Sequence, residues 1–175
     1  MSNTIIKGKA WVGGDNITAY DIIPMKRWTH DTMDPNVLGK WALEDADPNF
    51  KNKEWALRDS GATIIVAGCN FGGGGKSIEH PIFAVIGAGI QVVLADSFAR
   101  YNFRNSVNNA LPVIVCEGLK DMIRNGDELT VDMVNGFVEI IRTGEHKELV
   151  PLTPFVLEIM ESGGLLAYTK KHINS

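Results

Sequence analysis

Two cysteines in 175 residues, Cys69 and Cys116, are too few for a disulfide framework and too far apart for a zinc knuckle. The four histidines, His30, His80, His146 and His172, show no H-E-x-x-H spacing, so the chain alone is expected to hold no metal. No run approaches the ~20 apolar residues that cross a bilayer. The opening MSNTIIKGKAWVGG has no apolar stretch between a basic start and a cleavage site, which points to the cytoplasm. Basic charge is also short, with 17 Lys plus Arg against 21 Asp plus Glu and a net charge of −4. No nucleic acid and no membrane surface is therefore expected as the main partner. The 7 prolines and 18 glycines form no extended tract, which excludes collagen-like and disordered classes.

What is present suits a folded core, with 45% hydrophobic and 22% charged residues. The length fits one domain over residues 1–175, with a core over about 4–142 and a helical tail over about 151–175. Ala62–Ala67 (ATIIVA) is a continuous apolar run between Gly61 and Gly68, as expected of a strand buried on both faces. Apolar spacing then predicts a helix over Ser77–Ala88, a strand over Ile90–Ala95, a helix over Ser97–Asn108 and a strand over Leu111–Val115. Such alternation argues for an α/β fold with a mostly parallel central sheet. Upstream, Thr4–Val12 reads as a strand and Ile17–Pro24 as a short extended piece. Pro35–Glu44 reads as a short helix within a polar excursion from Met25 to Phe50. Downstream, Glu128–Met133 and Phe137–Arg142 flank Asn135-Gly136 as an added β-hairpin, and Pro154–Ala167 reads as a final helix ending around Gly163-Gly164.

The densest chemical signal runs from Gly68 to His80, GCNFGGGGKSIEH, between a buried strand and a helix start. Glycines there admit positive φ and a close approach of backbone to ligand, and a helix start favours an anion such as a carboxylate or phosphate. A nucleotide-binding P-loop is one reading of Gly75-Lys76-Ser77, but the glycine that pattern needs further upstream is Asn70 here. A second constellation, Asp96 to Asn109, is expected to pack Phe98 and Phe103 inward. Arg100, Arg104 and several amides would then ring one end of the sheet, for a polyanion or a loop network.

Several separated segments together resemble one family. They are Asn16-Ile17, Asp21-Ile22-Ile23-Pro24, Leu38-Gly39-Lys40, Glu44-Asp45-Ala46-Asp47-Pro48, Gly68–Gly72 with Glu79-His80, and Ala95–Tyr101 through Asn109–Pro112. In this order they look like the small subunit of the isopropylmalate dehydratase and homoaconitase group of the aconitase family, from about Lys7 to the hairpin. The resemblance implies a swivelling β/β/α domain docked on a large subunit, which holds a [4Fe–4S] cluster acting as Lewis acid on a small dicarboxylate. Two cysteines fit that division of labour, with no cluster bound by this chain alone. The implied reaction is a hydro-lyase one, the loss and re-addition of water on a substituted malate such as 3-isopropylmalate, 2-methylmalate or 2,3-dimethylmalate. A non-catalytic paralogue is the alternative.

In that family a serine in a G-S-S-R-E-H loop serves as the base. Counting back from Glu79-His80, Ser77 falls on the second serine, Lys76 on the first and Ile78 on the arginine. Two chemistries stay open. Ser77 is the base with Lys76 as the neighbouring cation, or Lys76 is itself the base with a lowered pKa. Gly74 and Gly75 are expected to approach the substrate with Lys76 and Ser77, while Asn70, Glu79 and His80 orient the loop. Near the N-terminus, Thr18-Ala19-Tyr20 replaces the family's D-T-D. In the loop that follows, Arg27 and Trp28 are the expected substrate contacts, for a carboxylate and an alkyl group.

Overall fold

The computed structural model describes residues 4–27, 32–74 and 77–173. Trp28, His30, Gly75 and Lys76 lie outside the described residues. One seven-stranded sheet organises the molecule. β1 (Ile5–Val12) leads to a short helix α1 (Ala19–Ile22) and a 3-10 turn at Met25–Arg27. The helices α2 (Pro35–Leu38) and α3 (Ala56–Asp59) then bring the chain to β2 (Ala62–Ala67). Next come α4 (His80–Gly87), β3 (Val92–Ala95), α5 (Arg100–Asn108), β4 (Val113–Val115) and α6 (Leu119–Met122). The strands β5 (Glu128–Asp132), β6 (Phe137–Ile140) and β7 (Glu145–Glu148) follow, and α7 (Pro154–Glu161) and α8 (Leu165–Ile173) close the chain.

The spatial order is β4-β3-β2-β1-β5-β6-β7. β1 to β4 pair in parallel, whereas β5, β6 and β7 add antiparallel strands beyond β1, so the sheet is half parallel rather than mostly so. The parallel strands are buried on both faces. Ile65, Ala67, Val93 and Ala95 pack with the helical layer, and Ile64, Val66, Val92 and Leu94 pack on the other side. That second face is covered by the antiparallel wing itself, since Leu129, Val131, Val138 and Ile140 join the same cluster. The sheet curls far enough for the Cys116 thiol, just past β4, to donate to the Glu148 carbonyl in β7 (Sγ···O 3.7 Å). A β/β/α layering results, as the resemblance implies.

Several local expectations are corrected. The expected extended piece Ile17–Pro24 contains the helix α1, because Thr18 and Asp21 form a reciprocal cap: the Asp21 amide donates to Thr18 Oγ1 at 3.2 Å and the Thr18 amide to Asp21 Oδ2 at 2.7 Å. The expected hairpin is a three-stranded meander, since the charged segment Glu145–Glu148 pairs with β6. The tail is two helices, broken where Gly163 and Gly164 take φ of 83° and 110°. Pro35–Glu44 is only one α-helical turn followed by a 3-10 turn at Gly39–Trp41. There α2 crosses α4 so closely that a Cβ on Gly87 would sit 1.9 Å from the Pro35 carbonyl oxygen. Phe103 is exposed rather than packed inward, and Phe98 is half-buried against the edges of Phe71 and Phe103.

Candidate active site

The loops after β1, β2, β3 and β4 gather at the carboxyl ends of the parallel strands, where open α/β sheets take their ligands. The β2–α4 loop is tied to both neighbours. The Gly72 amide donates to the Ile17 carbonyl (2.7 Å), and the Ala19 amide donates back to the Gly73 carbonyl (2.9 Å). On the other side the Asn70 amide donates to Ser97 Oγ (2.8 Å), the Phe71 amide to the Ser97 carbonyl (3.0 Å), and the Ala99 amide to the Phe71 carbonyl (3.0 Å). Asn70 itself takes a left-handed φ of 58° and donates through Nδ2 to Asn16 Oδ1 at 3.1 Å. Gly72 is required as glycine: its φ is 75°, and a Cβ there would lie 2.2 Å from Asn102 Nδ2.

These ties frame a hollow of about 160 Å³. Its floor is the backbone of Gly72, Gly73 and Gly74, its polar points are Asn70 and Asn102, and its apolar walls are Ala19, Ile78, Pro81 and Ala99, with Tyr101 at the side. Among the described residues no charged side chain lines it. It is smaller than the ~300 Å³ or more of a self-sufficient ligand pocket. A small carboxylate would find here a backbone cradle and an alkyl wall.

The structure brings together only part of the expected site. Asn70 and Gly74 line the hollow, and Ser77 stands exposed one residue before the lining residue Ile78. Glu79 and the buried His80 open α4, and Glu79 accepts a 2.8 Å bond from Asn109 Nδ2. The helix begins at His80, three residues past Ser77, with Pro81 in its first turn, so Ser77 does not stand at a helix start as it would in a P-loop. Arg27 is elsewhere. Its guanidinium donates twice to the buried Glu44 carboxylate at 2.6 Å and lies 3.5 Å over the Trp41 ring. That fork is taken, so Arg27 is placed as an anchor of the 25–52 excursion and not as a free carboxylate receptor. The Arg27 bonds hold Glu44 below the usual carboxylate range.

Asn102, Asn105 and Asn109 were visible in the sequence only as amides at the end of the sheet. Their spacing of three and four residues is the signal that they share one helix face, and that face meets the glycine loop. Asp15, Cys69 and Asp96 offer ligand atoms within 4.8 Å of one another at the same edge. Asp15 is already bound by Lys120 Nζ at 2.8 Å and by the Cys69 amide, which together lower its pKa, and Asp96 accepts the Gly118 amide. Nor do the residues suit an iron–sulfur cluster: Cys116 is buried, its thiol pushed up to about 11 by desolvation, which leaves Cys69 as the one accessible thiol.

A glycine-floored hollow at the carboxyl edge of a curled α/β sheet, with no charged wall among the described residues, defines the class: a small α/β domain with one candidate site at the ends of its parallel strands. The comparisons make the class specific. The chain belongs to the aconitase C-terminal domain family, whose model matches residues 29–117. It is 42% identical over 167 residues to the 3-isopropylmalate dehydratase small subunit 1 of Methanopyrus kandleri, covering 95% of this chain and 94% of that one. It is 39% identical to the isopropylmalate/citramalate isomerase small subunit of Methanocaldococcus jannaschii, covering 96% and 95% of the two chains. The crystal structure of 3-isopropylmalate dehydratase (LeuD) from the latter organism superposes with a TM-score of 0.82 at 33% identity, over 97% of this chain and 96% of that one.

Proposed function

We propose that this chain is the small subunit of a two-subunit hydro-lyase that removes and re-adds water on a substituted malate of the 3-isopropylmalate kind. The observation that carries the proposal is the hollow itself, a small backbone cradle beside Ser77 with no charged wall among the described residues, in a chain that aligns over nearly its whole length with dehydratase small subunits. In this proposal a large subunit supplies further walls, and its charges act beside the Lys76 of this chain. Because this chain's own donors do not suit an iron–sulfur cluster, that group belongs in this proposal to the large subunit. The assembly works in the cytoplasm, and among the described residues no helix is long and apolar enough to cross a membrane.

In this reading Ser77 Oγ takes the proton from the carbon beside a carboxylate. The C–H electron pair becomes the double bond as the hydroxyl leaves the neighbouring carbon as water, protonated by an acid that the large subunit would supply, and the reverse steps return the proton from Ser77 and re-add water. A serine hydroxyl is too weak a base unless its anion is stabilised. Ser77 precedes the N-terminus of α4 by three residues, where the helix gathers partial positive charge, and Lys76 adds a cation at the adjacent position. Ile78, Ala19 and Pro81 give the substituent an apolar wall. A smaller substituent, as in 2-methylmalate, is the second reading, favoured by the relative whose name includes citramalate. The test is anaerobic co-expression with the partner large subunit and an ultraviolet assay of enoate formation across 2-alkylmalates, 3-alkylmalates and 2,3-dialkylmalates. Turnover of one of them is expected. A loaded complex that turns over none of them overturns the proposal.

A further inference from the structure

α5 is unusual in what it buries. Asn102, Asn105 and Ser106 are its buried residues, while Tyr101 and Phe103 stand exposed, so the helix turns polar groups inward. Buried amides are poor choices for stability where apolar residues would fill the same space. All three asparagines of this face reach the β2–α4 loop. Asn102 packs against Gly72 with its Oδ1 buried and without a hydrogen-bond partner. Asn105 Nδ2 donates to the Ile78 carbonyl at 3.1 Å. Asn109 Nδ2 donates to Glu79 Oε1 at 2.8 Å and to the Asn105 carbonyl at 2.9 Å. One helix face therefore grips the loop before its glycines end and again immediately after Ser77.

We propose that Asn105 and Asn109 are positioning residues for the reaction, fixing the Ile78–Glu79 peptides so that the Ser77 hydroxyl is aimed at the glycine hollow. The inference rests on the reading of Ser77 as the base. The amides act through the main chain and side chain that follow Ser77, at Ile78 and Glu79. The Ile78 carbonyl is directed by Asn105, and the start of α4 is tethered by Asn109 through Glu79. With both held, Ser77 is carried between two fixed points, Gly72–Gly74 on one side and Ile78–Glu79 on the other. Without them the hollow keeps its walls but the reacting oxygen loses its direction.

The test uses the assembled, cluster-loaded two-subunit enzyme with Asn105→Ala, Asn105→Asp, Asn109→Ala, Asn109→Gln and Ser77→Ala. Asn105→Asp keeps the shape of the side chain and loses the amide donor, and Asn109→Gln keeps the donor. A misplacement of about 1 Å predicts kcat lower by about a hundredfold in both Asn105 variants, with KM within about threefold of the native enzyme. Asn109→Ala should fall in the same manner, and Asn109→Gln should recover most of the loss. Native kcat in Asn105→Asp and Asn109→Ala alongside a dead Ser77→Ala overturns the positioning role and leaves Ser77 standing. Native turnover in Ser77→Ala overturns the base reading instead, whatever the asparagines do. If Asn105→Ala does not assemble, Asn105→Asp and the half-buried Asn109 carry the same decision. Failure of Asn109→Gln to improve on Asn109→Ala, or a loss confined to KM, also overturns the proposal.

Discussion

The two halves of the sheet use the same curled surface for opposite purposes. The parallel half, β4 to β1, is sandwiched on both faces and ends in loops that carry every residue of the hollow except those of the helices behind them. The antiparallel half, β5 to β7, buries one face over those strands and turns the other toward solvent, with Ile141, Glu145, His146 and Glu148 exposed. Parallel strands need crossovers, and crossovers leave long loops at one edge where chemistry can collect. Antiparallel strands close in tight turns and leave only a cover. Damage to the two halves should therefore separate activity from stability.

The largest effect is expected at the loop. Gly72→Ala forces a side chain into a φ of 75° and onto Asn102, for a cost of about 3–4 kcal/mol and a collapse of turnover in the assembled enzyme. Denaturant unfolding and an activity assay at matched folded concentration check both parts. In the wing, Ile140→Ala empties a fully buried position and should cost about 3 kcal/mol, while turnover per folded complex stays within twofold on the logic of distant, independent sites. A matched loss of turnover there would break the comparison.

Glu44→Gln should cost about 2 kcal/mol, less than a fully buried pair because Arg27 keeps some solvent contact. Its sign with pH is fixed. Glu44 is held below its ordinary range in the folded chain, so its contribution is complete above that range and fades as pH falls through the lowered folded value. The stability gap between native and Glu44→Gln chains should therefore shrink on acidification. The smallest effect concerns the thiols. At neutral pH one equivalent, Cys69, should react with a disulfide reagent in the folded chain, while Cys116, pushed up to about 11, should react only on unfolding.

How much was legible follows from the same contrast. Strands such as ATIIVA read at sight because burial on both faces leaves no room for polar residues. β7 did not, since EHKE has no apolar alternation and owes its pairing to the Phe137–Ile140 strand beside it. The Gly68–His80 segment announced the site, but not that its helix starts only at His80, where Pro81 fits the first turn. Arg27 carried the right chemistry for a carboxylate and met an internal one, Glu44, seventeen residues on. A linear pattern marks a residue's capacity for a partner, and packing decides which partner is nearest.

The central claim is that the parallel half delivers one base, Ser77, to a hollow completed by a large subunit. Deuterium wash-out from the α-carbon of bound substrate, compared between native and Ser77→Ala complexes loaded with cluster, tests it most directly. Exchange should fall by about a thousandfold, as loss of a positioned base demands, while substrate still binds. Exchange within tenfold of native in Ser77→Ala would contradict the account and move the base to another residue.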